Sequence, residues 1–557
     1  MLQEKLKLFP VVSENKLEGL FMKKTRKVLT VLLTTGIFAA SLIGCKGSST
    51  NSGVTSTGGT SQSDENYTYT LAQWLPAPLD KNAPMVKKWE DEFGVKFKFD
   101  YIETSKMAEL LPVRIAGGEV PDVITGLGYN GFYDYAKQGI AGKWSEDFFR
   151  KNAPRIAKQI DDLGADAWKI SEIDGQMFTV PGLNAEYMYG SALIWNQDWL
   201  NKLHVEKIPN KLDDVEKVLY KFRNEDPDGD GKKDTYGLST DGMRMIFGAY
   251  GVPGVYGETT RVWIEDGKGG VIYPAVAPKA KEALEKMRKW YADGVIDPEF
   301  ITGENKGGYW AVSHAFCNGR IGFTARGTNA HWKDPKLWKE GVSQFANSEL
   351  FKKNFPNGSF SYGYPIEGHD GKKYTGTTEY AFWSCFSEKL VSDQPKFAKL
   401  LKIAEKLNGY IDTKDYLTTR LGIEGTHWKY NDKGVPVPVE AYNSVEKQTS
   451  IGAGTTFNFF NNVKTQSVID PIYSKWENEE LYKDPQRAAM WKDPVPLPLP
   501  SQADYKDETD KILDEGIISI ITGQKDINYF DEMVKKWKNA GGDTLTKEAN
   551  VIYQEFK

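Results

Sequence analysis

A chain of 557 residues with 40% hydrophobic and 26% charged side chains and a formal net charge of −5 is too long for one hydrophobic core and too acidic to favour a nucleic-acid partner. Three cysteines rule out a disulfide-built scaffold, and five scattered histidines with no His-x-x-x-His or Cys-x-x-Cys pair argue against zinc.

The chain opens with residues 1–21, whose Glu4, Glu14 and Glu18 read as the product of an upstream start. Met22 then begins a three-part export signal: Lys23, Lys24, Arg26 and Lys27, an apolar run from Val28 to Ile43, and small residues at the cut. That run is short for a membrane span. It ends in Leu42-Ile43-Gly44-Cys45, which resembles a lipobox. Residues 1–44 are therefore expected to be cleaved before Cys45. The Cys45 thiol would carry the lipid, with palmitate-type acyl chains holding the protein to the extracytoplasmic face of the cell membrane. Residues 45–66 are almost wholly Ser, Thr, Gly and Asn, a composition that buries no apolar surface and predicts a flexible tether. Folding is expected from Tyr67 onward.

From there strands and helices alternate, the pattern of an α/β protein. Met85 to Phe93 predicts a helix closed by Gly94, and Val95, Phe97, Phe99 and Tyr101 alternate as a strand. A helix over 105–116 stops at Gly117-Gly118 and leads through Pro121 to a buried strand over 122–125. Further helices are predicted over 213–223, 279–292, 395–407, 504–521 and 530–539, a strand over 236–239, and an extended Pro-rich strap over 493–500. Cys317 and Cys385 read as buried free thiols or one disulfide, with free thiols favoured.

The strongest chemical motif lies between the 213–223 helix and the 236–239 strand: Asp226, Asp228, Asp230, Gly231 and Asp234 occupy positions 1, 3, 5, 6 and 9 of a calcium loop. The Lys232 carbonyl would fill position 7. Position 12, where a bidentate Glu is usual, holds Gly237, so the last oxygen is assigned to the Thr235 hydroxyl or water. The ion, Ca2+, is read as structural, because a loop that chelates it fully leaves little room for substrate.

Gly126-Leu127-Gly128-Tyr129-Asn130-Gly131 fits G-x-G-x-x-G, yet no ribose-binding acid follows in a second strand, and an exported protein meets few dinucleotides. It reads as a strand-to-helix turn that sets Tyr129 and Asn130 at the carboxyl edge of a sheet, where α/β proteins bind ligands. There is no G-x-S-x-G, P-loop or H-E-x-x-H; a carboxylate pair for glycoside hydrolysis stays open. Aromatic residues make up 13% of the chain, and flat rings suit sugar faces. Trp89 and Trp290 read as core. Trp74, Tyr129, Trp310, Trp332 and Trp383, beside loop residues, are candidates for a cleft.

Three segments carry a resemblance: Gly117-Gly118-Glu119-Val120-Pro121-Asp122, Ile173-Asp174-Gly175-Gln176 leading to Val180-Pro181, and Ile194-Trp195-Asn196-Gln197-Asp198-Trp199-Leu200, with Gly422 to Trp428 and Ile521-Thr522-Gly523 downstream. In these the chain resembles extracellular solute-binding proteins of carbohydrate ABC transporters, in the lipoprotein branch of aldouronate and alginate oligosaccharide binders. The likeness implies a two-lobed, type II periplasmic-binding-protein fold whose chain crosses between lobes more than once. Lobe one would hold 67–190 plus about 320–400, and lobe two about 191–319 plus 401–557. It further implies a monomer that is no enzyme, an oligosaccharide ligand with uronate-bearing chains among the candidates, and permease subunits as partners. Arg244 and Arg326 are then the candidates for carboxylate recognition, since a planar fork suits a uronate. A surface-anchored glycan-cleaving enzyme, or a receptor for peptides or another solute, remains the alternative.

Overall fold

The computed structural model describes residues 67–557 except 74, 103–105, 163, 165, 183–189, 258–261, 306–310, 333–345, 379–380, 383, 433, 435, 460–484 and 488. The leader, Cys45, the tether, Trp74, Trp310 and Trp383 lie outside the described residues.

The first sheet forms where alternation and turn chemistry agree. Strand β1 (Thr68–Ala72) leads to helix α1 (Pro84–Phe93), which starts on a proline, buries Met85 and Trp89 and ends at Gly94 in the left-handed conformation, φ 64. Then come β2 (Lys96–Phe99), α2 (Met107–Ala116) and β3 (Val123–Thr125), and β1 pairs in parallel with both β2 and β3. Such an all-parallel start needs helices on its faces, and the chain supplies them directly. Helix α3 (Gly128–Lys137) follows β3.

The second sheet is assembled from β4 (Ile194–Asn196), β5 (Tyr236–Leu238), β6 (Ile321–Thr324) and β7 (Phe360–Tyr362), in the order β7-β4-β6-β5. Here β6 runs parallel to β5 and antiparallel to β4. Helices α4 (Leu212–Asn224) and α5 (Thr240–Ala249) pack on it, and α6 (Pro278–Ala292) packs on α5. Finally β8 (Ser384–Phe386) returns to the first sheet, antiparallel to β3. It is followed by α7 (Gln394–Asn408), while α8 (Gln502–Ile521), α9 (Tyr529–Trp537) and α10 (Asp543–Phe556) close the chain.

Two main cores result. One packs Tyr69, Phe97, Phe149, Phe386, Phe397, Leu407 and Phe457. The other packs Trp195, Phe222, Trp290, Phe300, Phe323, Ile517 and Trp537. Each buried side chain of this size contributes about 1.5–3 kcal/mol. Trp89 and Trp290 are core, as their helical positions imply. Cys317 and Cys385 are buried free thiols in separate apolar clusters.

The cores correct the expected partition of the chain. The segment over about 320–400 was assigned to the 67–190 lobe, yet β6 and β7 flank β4 in the second sheet. Conversely Ile403, Leu407, Ile451 and Phe457, from the segment assigned to the other lobe, pack in the first core. Strands of three or four residues carry no mark of which sheet they join; only pairing decides it.

Three passages of chain connect the cores, and they are gathered at both ends. On the side of the first core, Pro181–Gly182 pairs antiparallel with Ala381–Phe382, the Thr179 hydroxyl donates to the Ser384 carbonyl at 2.8 Å, and the Ser384 hydroxyl donates to the Phe459 carbonyl. On the side of the second, Ser191 N–H donates to the Thr375 carbonyl at 2.7 Å, Thr375 N–H donates to the Ala489 carbonyl at 2.9 Å, and Gly376–Thr378 pairs in parallel with Met490–Lys492. Gly190 sits at φ 66, and the Thr375 carbonyl oxygen occupies the space its Cβ would need, so no other residue fits there without movement. No helix among the described residues is long and apolar enough to cross a membrane.

Candidate functional site

Strand direction fixes which edges of the two sheets face these passages. Thr125, the last residue of β3, pairs with Ser384, and Thr324, the last residue of β6, pairs with Ile194 just after Ser191. The carboxyl ends of β1 and β3 on one side, and of β5 and β6 on the other, therefore border the crossings. Carboxyl edges are where open α/β sheets take ligands.

At the second sheet's edge stands a polar cluster. Asp241, in the first turn of α5, is fully buried; its Oδ1 accepts from Arg244 Nη1 at 2.9 Å and its Oδ2 from Arg326 Nη1 at 3.3 Å. Arg326 follows β6 by two residues. Its side chain is 23% exposed, and its Nε finds no acceptor among the described residues. Beneath them lies Glu304, 1% exposed. Its Oε1 accepts from Asp241 N–H at 3.0 Å, and its Oε2 from the hydroxyls of Thr324 at 2.6 Å and Ser313. Burial, with the Asp241 charge second, pushes the Glu304 carboxyl up to about 7. Thr324 Oγ1 in turn accepts from Arg326 N–H at 3.1 Å. The two arginines proposed from sequence are thus brought together, by an aspartate and a glutamate that sequence reasoning missed. The faint signal was the i, i+3 spacing of Asp241 and Arg244 after a strand; nothing marks Glu304.

At the first sheet's edge Gln73 follows β1 and is fully buried. Its Nε2 donates to the carbonyls of Thr455 at 3.1 Å and Asn458 at 3.2 Å, while its Oε1 has no partner among the described residues. Asn130, the third residue of α3 and exposed, follows the carboxyl end of β3.

One aromatic candidate, Trp332, is corrected, while Tyr129 is half-buried. Trp332 is fully buried, donates Nε1–H to the Arg326 carbonyl at 2.7 Å, and meets Phe316 and Phe360 edge-on. It braces Arg326 from the core and presents no face to a ligand. The Tyr129 hydroxyl donates to the Ile170 carbonyl at 2.8 Å and its ring packs beside Tyr133 and Phe178, so burial holds the phenol well above its ordinary range. Loop neighbours suggested exposure for both; packing buries Trp332 fully and leaves Tyr129 half-buried.

The acidic loop lies at the opposite, amino end of β5, one strand of about 10 Å away from Asp241. Carboxylate oxygens of Asp226, Asp228 and Asp230 lie within 4.8 Å of one another. Asp226 takes φ 48, and its carboxylate accepts from Gly229 N–H at 3.1 Å and Gly231 N–H at 3.2 Å, which folds the loop inward. Desolvation first, then the bond to Asp226 and the Asp230 charge, push Asp228 up. Lys232 pairs with Asp230 and holds its carboxyl below the ordinary range, so Asp228 alone is pushed up; carboxylate oxygens converging in this way fit a divalent, oxygen-seeking cation. Thr235 is corrected as a ligand: it is buried and its hydroxyl donates to the Phe222 carbonyl at 2.8 Å. Gly237 supplies no side chain because it stands inside β5, where a Cβ would meet Leu219 at 2.9 Å and Val295 at 3.0 Å. Helix α4 packing against the strand forbids a Glu at that place.

Residues 84–424 match the family model of the bacterial extracellular solute-binding protein. The chain belongs to that family. Over 508 residues it is 23% identical to lipoprotein LipO of Bacillus subtilis (strain 168), covering 86% of this chain and 90% of the relative. It is 21% identical over 542 residues to the polygalacturonan/rhamnogalacturonan-binding protein YtcQ of the same strain, covering 95% and 99%. Among solved structures, the alginate-binding protein AlgQ2 without calcium ion superposes with a TM-score of 0.60 at 17% identity, covering 88% of this chain and 99% of that one. The family fold is two-lobed, with the two cores described above as its lobes.

Proposed function

We propose that this protein is the substrate-binding lipoprotein of an ABC importer, which captures an acidic oligosaccharide between its lobes and hands it to membrane permease subunits. The observation that carries the reading is that both sheets' carboxyl edges lie beside the described ends of the three connecting passages, which are gathered together. On one side stands the incompletely engaged guanidinium of Arg326, and on the other the Gln73 Oε1 that no described residue engages. The names of YtcQ and AlgQ2 support acidic polymers as the ligand class. Lobe one comprises 67–182 and 384–459, lobe two 190–376 and 489–557. A ligand touching both edges favours the closed state by the contacts it makes only there. Arg326 and Arg244 take the carboxylate, and Asn130 and Gln73 take hydroxyls; Trp74, Trp310 and Trp383 are the aromatic candidates.

Asp226, Asp228 and Asp230, with the Lys232 carbonyl and Asp234, would hold Ca2+ as a structural tie between α4 and β5. When bound, the ion would offset two of the converging negative charges. Cys45 supplies the lipid anchor, and the relative named LipO supports that assignment. The protein acts as a monomer without covalent chemistry. The test is calorimetric titration of the purified protein with trigalacturonate and its methyl ester, followed by recovery of the ligand. Saturable binding with the sugar intact supports the receptor; shortened sugar makes the protein an enzyme.

A further inference from the structure

Among the described residues, Glu304 is the one carboxylate at the second sheet's edge that is fully buried without an ion-pair partner, while its neighbour Asp241 has two arginines. Three donors converge on it from three elements: Asp241 N–H from α5, the Thr324 hydroxyl from β6, and the Ser313 hydroxyl from the short helix His314–Cys317 that Ser313 caps. Asp241 holds Arg326 by its carboxylate, and Thr324 holds it by the main-chain N–H. Glu304 therefore fixes Arg326 by two routes.

We propose that Glu304 is the positioning residue for the acidic-ligand site, and that it takes up a proton when an anionic group of an oligosaccharide docks on Arg326. This rests on the receptor reading given above. The physical reason is Coulombic. A carboxylate brought to Arg326 adds a second negative charge to the buried surroundings that Glu304 already shares with Asp241, and low local dielectric leaves that repulsion poorly screened. Protonation relieves it without breaking the network, because a neutral carboxyl still accepts from Asp241 N–H while donating to a hydroxyl.

The other groups facing Glu304 leave the direction unchanged. Ser313 and Thr324 do not titrate near neutrality. The Cys317 thiol is pushed well up by burial and by Glu304 itself, so it stays neutral. Arg244 and Arg326 are permanently charged, and Asp241 is held by both. His314 meets Glu304 through its main-chain N–H, which donates to the Glu304 carbonyl at 2.8 Å.

Titration calorimetry of the purified protein at pH 7 in two buffers of different ionisation enthalpy gives the proton inventory. For trigalacturonate a fraction of one proton should be taken up, and for its neutral methyl ester none. Affinity for the acid should rise about fivefold from pH 8 to pH 6, within the tenfold limit set by shifting one carboxyl by one pKa unit, while the ester stays flat. Glu304→Gln should abolish the uptake and flatten the acid's pH profile. Should that variant misfold, the wild-type inventory still decides. Acid binding without proton uptake, or uptake that persists in Glu304→Gln, overturns the role of Glu304 and leaves the receptor intact. Failure of both probes to bind at any pH overturns the acidic-oligosaccharide reading and this inference with it.

Discussion

Replacing Glu304 by Gln should change how stability depends on pH before any ligand is involved. The folded carboxyl sits at about 7 against an ordinary 4.5, raised first by burial and then by Asp241. A group whose folded pKa is raised contributes stability that is full below pH 4.5 and lost as pH rises to 7. At about 1.36 kcal/mol per pH unit, the interval between those two values bounds the loss at roughly 3 kcal/mol. The amide of Glu304→Gln cannot titrate, so the wild type should lose about 3 kcal/mol relative to the variant between pH 4.5 and pH 8, with most of the slope between pH 5 and 7. Urea unfolding of both proteins at pH 4.5, 6, 7 and 8 measures it, through the midpoint at constant m. Parallel curves would refute the reasoning, because they would mean that Glu304 has the same pKa folded and unfolded.

Calcium should raise the unfolding midpoint of the wild type, by about 2.7 kcal/mol at a hundredfold excess over its dissociation constant, and Asp228→Asn should remove most of that gain in a calorimetric scan. Gly237→Ala should cost about 1–3 kcal/mol even without metal, since its Cβ would press on Leu219 and Val295; an unchanged midpoint would contradict the packing that excludes a twelfth-position ligand. Trp332→Ala should cost about 3–5 kcal/mol as a core truncation, and a variant of full stability with lost binding would instead restore Trp332 to the cleft. Gly190→Ala should impair lobe closure, seen as weaker ligand-induced compaction in small-angle scattering, because its Cβ collides with the Thr375 carbonyl.

Much of this fold was legible in the sequence where local chemistry is decisive. Pro84 and Gly94 bracket α1, Gly117 closes α2, and the predicted helices over 213–223, 279–292, 395–407 and 504–521 coincide with observed ones to within about two residues. The convergence of Asp226, Asp228 and Asp230 was legible because their alternate spacing around glycines turns the carboxylates to one side of a tight loop. What failed was long-range: β6 and β7 join the second sheet by pairing with residues some hundred and more positions away, and no local pattern records a partner. Trp332 stands beside loop residues yet turns inward for the same reason, because packing and not the local neighbourhood decides burial. Arg244 and Arg326 were singled out by their chemistry and converge on Asp241, whereas Asp241 and Glu304 acquire their character only from the burial that surrounds them.

The most direct measurement is titration of the purified protein with trigalacturonate and its methyl ester, with the radius of gyration followed by small-angle scattering and the sugar recovered afterwards. The account predicts saturable binding, a smaller radius in the bound state, intact sugar, and weakened acid binding in Arg326→Ala. Shortened sugar, or binding indifferent to Arg326, would contradict it.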